Sequence, residues 1–116
     1  MNEQLNTLIE TVKKNQPGAD TSQIIKAYNF AKEAHKNQKR ISGLPYIMHP
    51  LQVAITVAAM KMDTESVIAA LLHDVVEDTE YTLDDIKSIF GENVAMLVDG
   101  LTKLDKINFS SKEEQD

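Results

Sequence analysis

Residues 63–80 read DTESVIAALLHDVVEDTE, a run that opens as helix core and closes on a histidine and a crowd of acids. Val67, Ile68, Leu71, Leu72 and Val75 recur at the three- and four-residue spacing of one helical face, so the stretch predicts a core helix beginning at Asp63 or Thr64. Its far end breaks that pattern. His73, Asp74, Glu77 and Asp78 put four ionisable groups beside leucines and valines, which is costly without counter-charge. Two readings stand: a helix end dissolved in water, or a site that binds something.

In a helix, residues four apart share a face, so His73 lies below Glu77 and Asp74 below Asp78, in two columns about 100° apart. An imidazole nitrogen beside a carboxylate suits a borderline or hard divalent ion such as Mn²⁺, Fe²⁺ or Zn²⁺. The chain has no cysteine, so thiolate ligands and disulfides are excluded and only His, Asp and Glu are left as strong ligands. Two ligands hold a metal poorly, and a third has to come from elsewhere. The chain has 3 histidines. His35 sits in an apolar stripe and reads as a hydrogen-bonded core residue. His49 stands where a Pro-flanked loop enters a helix; taken alone it also has a structural reading, but the loop can aim it at the neighbouring helix. A bound metal lowers the pKa of its water toward neutrality. Glu77 and Asp78, one turn further on, are placed to orient that water or take its proton, and the implied reaction is metal-assisted hydrolysis.

The rest of the chain reads as helical, since apolar residues recur at helical spacing and period-two alternation is missing. A first helix is expected at about Glu3 to Lys14, ended by the NQPGAD turn at residues 15–20. Asp20 caps the second, with Gln23 in the capping-box position and Ile24, Ala27, Tyr28, Ala31, Ala34 and His35 as its inner stripe. Residues 40–50, RISGLPYIMHP, are expected as a loop, because Pro45 and Pro50 restrict Leu44 and His49. Pro50 suits a first helical position, which makes His49 the cap. Thr82 with Asp85 caps a short helix to Phe90, Gly91 breaks it, and another runs from Asn93 to about Leu104. Ser110 or Ser111 followed by Glu113 or Glu114 looks like one more helix start, cut off within a turn. The expectation is therefore a chain that stops before its domain does, against the plainer reading of a polar terminus.

With 116 residues and 42% hydrophobic content, the chain fits one soluble domain or part of one. No run approaches the roughly 18 apolar residues of a membrane span, and MNEQLNTLIE carries no secretory pattern, so no membrane partner and a cytoplasmic location are expected. A net charge of −6 argues against direct nucleic-acid binding. The basic stretch KEAHKNQKR at residues 32–40 reads either as a solvated helix end or as an anion-binding element.

These residues resemble a known family. An HD pair in a helix with an upstream histidine is similar to the HD-domain phosphohydrolases. The longer strings RISGLPYIMHPLQVA, LLHDVVEDT and GENVAMLVDGLTKL resemble the amino-terminal hydrolase domain of the RelA/SpoT homologues, which make and degrade the alarmone (p)ppGpp. The resemblance implies an all-α, partial HD-domain helical bundle. It implies that His49, His73 and Asp74 ligate Mn²⁺, that Glu77 and Asp78 act on the attacking water, and that pyrophosphate leaves the 3′ position to give GDP or GTP. It implies further that Arg40 packs against guanine, Ser42 lies in the same nucleotide loop, and Tyr46 supports its shape. Two departures stand out. Ile41 occupies a place where the family commonly has a second basic residue, which bears on substrate preference. The family's fourth ligand, an aspartate in a DRLHN motif, lies beyond residue 116, so weak metal binding and little turnover are expected of this chain alone. Synthetase and regulatory domains, and any contact of the parent protein with the ribosome, would lie outside this chain. Two alternatives stay open: another HD nucleotide phosphohydrolase, and a helical regulatory module with a vestigial site.

Overall fold

The computed structural model describes residues 3–36 and 47–115, with the backbone alone at Met48 and residues 104–115. Among the described residues there are six helices and no strand: α1 (Glu3–Asn15), α2 (Thr21–Ala34), α3 (Met48–Ala59), α4 (Thr64–Asp78), α5 (Leu83–Phe90) and α6 (Glu92–Gln115). The expected all-α class is what is observed. Arg40, Ser42 and Tyr46, together with Ile41, lie outside the described residues.

Helix α4 is the centre. It packs against α2, α3 and α6, while α1 covers α3 and α5 leans on α6. Every residue from Val67 to Val75 is buried, so the helix is enclosed on all sides along its middle. Burying each leucine there contributes about 1.5–3 kcal/mol relative to exposure. The helix opens where expected, with the Asp63 carboxylate accepting from the Ser66 amide at 3.0 Å.

Other boundaries follow local chemistry. Asp20 caps α2 by accepting from the Ser22 amide, and the expected stripe is buried except for Ala34, which is half-buried. Thr82 and Asp85 form a reciprocal capping box at α5, and Gly91 leaves it at φ 105°, a region that favours glycine. Lys61, at φ 63°, ends α3 in a Schellman arrangement. Its amide donates to the Ala58 carbonyl and the Met62 amide donates to the Val57 carbonyl. Asn15 donates to the Ala58 carbonyl as well, and Gln16 to that of Met62, which ties the turn after α1 to the end of α3.

Two expectations are corrected. Helix α3 begins at Met48 with Ile47 in the cap position, so His49 lies inside the first turn and makes no cap. Pro50 tolerates this because the first four amides of a helix have no partner within it. The second correction concerns the tail: α6 runs unbroken for 24 residues, and no helix starts at Ser110 or Ser111. Between Leu101 and Gln115 there is neither proline nor glycine, so nothing stops the helix that begins at Glu92.

Candidate metal centre

His73 and Asp74 reach the site from the buried side of α4, and His49 from the first turn of α3. One ligand atom from each of the three lies within 4.8 Å of the other two, a spacing that one metal ion can bridge. The burial is graded. His73 and Asp74 are 4% and 6% exposed. The His49 side chain is 42% exposed, so the site opens on the His49 side.

The hydrogen bonding of His73 fixes its chemistry. Nδ1 lies 2.8 Å from the Ala70 carbonyl oxygen, which can only accept, so Nδ1 carries a proton and donates it. Nε2 then faces the Asp74 carboxylate, 3.1 Å from Oδ1. A neutral imidazole would turn its Nε2 lone pair toward that carboxylate, and two electron-rich atoms so close repel unless a cation stands with them. A metal ion between them would take both donors. The other carboxylate oxygen favours a metal. Asp74 Oδ2 is buried with no hydrogen-bond donor among the described residues, and His49 Nε2 is 3.7 Å away, beyond hydrogen-bond range but suited to sharing an ion. The rings of His49 and His73 stand 6.5 Å apart at 59°, so their nitrogens approach the common point from different directions. The donor set of two imidazoles and a carboxylate fits a divalent ion of borderline or hard character.

Glu77 and Asp78 are the last two residues of α4, and both are exposed. They follow the expected one-turn offset but lie in water rather than in the core. The two columns of the sequence reading therefore change environment within a single turn: the lower pair is buried, the upper pair solvated. His35 is 2% exposed at the end of α2. Beside it, Lys36, just past the end of α2, pairs with Glu33 of that helix at 2.8 Å, and that hydrogen bond raises its pKa above the ordinary lysine value. This part of the basic stretch is thus engaged locally on an exposed surface. Sequence reasoning missed the Ala70 carbonyl, the group that sets the His73 tautomer. A backbone acceptor leaves no mark on residue type, although the i−3 position in a helix is where such an acceptor would be found.

The HD domain family description matches residues 27–116. The chain is 54% identical over 93 residues, 80% of its length, to a guanosine-3′,5′-bis(diphosphate) 3′-pyrophosphohydrolase of Aquifex aeolicus, covering 13% of that protein. It is 48% identical over 112 residues, 97% of its length, to the bifunctional (p)ppGpp synthase/hydrolase SpoT of Escherichia coli K12, covering 16% of it. A GTP pyrophosphokinase of Streptomyces coelicolor is 50% identical over 108 residues, with 13% of that protein covered. The chain thus spans about one seventh of the length of these curated relatives. With most of its residues matched, this chain belongs to the HD domain family.

Proposed function

We propose that this chain forms part of a metal-dependent 3′-pyrophosphohydrolase domain acting on (p)ppGpp. The observation that carries the chemistry is the convergence of His49, His73 and Asp74, whose buried Oδ2 has no hydrogen-bond donor among the described residues. The choice of substrate is supported by identities of 48% and 54% to relatives named for that reaction. His49, His73 and Asp74 are the proposed ligands, and Mn²⁺ is the proposed ion. When bound, such an ion supplies Lewis acidity and makes water nucleophilic near neutral pH.

The chain's own residues then have distinct tasks. The Ala70 carbonyl keeps the His73 proton on Nδ1, so that Nε2 presents its lone pair as the ligating atom. Glu77 and Asp78, open to solvent one turn further along α4, orient the attacking water and take its proton. The water oxygen bonds to the phosphorus carried on the ribose 3′ oxygen. The bond between that phosphorus and the 3′ oxygen breaks, pyrophosphate departs, and the 3′ oxygen takes up a proton. The product is GDP from ppGpp and GTP from pppGpp. Arg40 is proposed to stack on guanine, as a planar guanidinium can, with Ser42 and Tyr46 shaping the same loop.

Residues 1–116 are proposed to be the amino-terminal part of one such domain, in a cytoplasmic protein whose remaining parts supply a fourth ligand. Among the described residues no helix is long and apolar enough to cross a membrane. The three-ligand set alone is expected to bind metal weakly and turn over little. The test is release of pyrophosphate from ppGpp by the full-length protein with Mn²⁺. Release is expected, and its loss on chelation. Release from an ordinary nucleotide but not from ppGpp would instead favour a different HD phosphohydrolase.

A further inference from the structure

We propose that Thr79 is a positioning residue that keeps the last turn of α4 wound, so that Glu77 and Asp78 stay one turn beyond His73 and Asp74. The proposal rests on reading that acid pair as the groups that handle the attacking water.

The last turn of α4 lies at the negative end of the helix. It ends on two acids and contains no basic residue, although the carboxyl end of a helix carries partial negative charge. Both acids are also exposed, so core packing does not hold them. The last carbonyls of a helix have no partner within it, so its final turn gains from a group that closes it.

Thr79 supplies the closure. Its amide donates to the Val75 carbonyl at 3.0 Å, and its hydroxyl donates to the same oxygen at 2.6 Å. The hydroxyl oxygen in turn accepts from the Tyr81 amide at 3.2 Å, so it is used as donor and acceptor together. The backbone of Thr79 is extended at φ −128° and ψ 178°, which ends the helix immediately after Asp78. The turned chain sets the Tyr81 ring 4.8 Å from Phe30 of α2, and Phe30 meets Phe90 of α5 edge-on at 5.6 Å. The exit from α4 is thus fastened at both ends: to its own last turn through one hydroxyl, and to α2 through one ring. A small side chain bonded to Val75 and Tyr81 thus helps to set where the acid pair stands.

The test compares Thr79→Val, which keeps the shape and removes the hydroxyl, with Thr79→Ser, which keeps the hydroxyl, both in the full-length protein. Thr79→Val is expected to lower kcat for pyrophosphate release from ppGpp by about 10–100-fold, the scale of a misplaced catalytic group. KM and Mn²⁺ affinity should hold, and Thr79→Ser should restore most of kcat. Hydrogen exchange at the Thr79 and Tyr81 amides should quicken in Thr79→Val and not in Thr79→Ser. Unchanged kcat in Thr79→Val overturns the proposal, and so does a fall in kcat matched by an equal fall in metal affinity. If the wild-type protein releases no pyrophosphate, the reading of the acid pair fails by itself. Amide exchange then decides the role of Thr79, and unaltered exchange in Thr79→Val overturns it.

Discussion

Two neighbouring turns of one helix carry the proposed site, and they sit in opposite environments. His73 and Asp74 are enclosed by the packing of α2, α3 and α6 around α4, with Leu71, Leu72 and Val75 fully buried beside them. Glu77 and Asp78, one turn later, are exposed and are the last two residues of the helix. The difference matches the two tasks. Ligands have to stay at fixed positions whether or not an ion is present, and a close-packed core gives that rigidity. Groups that move a proton need water and substrate to reach them.

Breaking the buried turn should have the largest effect. Asp74→Ala removes a carboxylate that faces both histidines. Loss of an outer-shell partner of a metal already costs about 10–100-fold, so loss of this ligand is expected to abolish activity and metal retention together. Metal analysis beside a turnover assay reads both. Breaking the exposed turn should separate the two. Glu77→Gln is expected to lower kcat by about 100-fold or more, the range of acid–base catalysis, with metal content preserved. Thermal or denaturant unfolding of Leu72→Ala measures the scaffold instead, with a loss of about 2–5 kcal/mol expected for a buried leucine. The smallest effect lies furthest from the site. Lys61→Gly relieves a left-handed backbone at the end of α3 and is expected to stabilise the protein by about 0.5–1 kcal/mol without altering turnover. A change in turnover there would mean that the end of α3 is coupled to His49 at its start.

Much of this was legible in the sequence because it rests on local rules. The burial of Val67, Ile68, Leu71, Leu72 and Val75 follows from spacing, and the caps at Asp20, Asp63 and Thr82 follow from side chains that accept from nearby amides. Even the grouping of His49 with His73 and Asp74 was within reach, since the chain has only 3 histidines and His35 reads as a core residue. The cap at His49 was misread because Pro50 fits the third helical position as well as the first, where the amide it lacks would have no partner within the helix either. The length of α6 was misread because Ser110 and Ser111 cap helices in general but do not end one already under way. The exposure of Glu77 and Asp78 could not be read from spacing, since the helical face of the acid pair is set by i, i+4 geometry but its depth is set by where α4 leaves the core.

The division of labour between the two turns is tested most directly by measuring Mn²⁺ affinity side by side in wild-type protein, His73→Ala and Glu77→Ala. Affinity should collapse in His73→Ala and stay near the wild-type value in Glu77→Ala. Equal loss in both would make Glu77 a ligand and contradict the account.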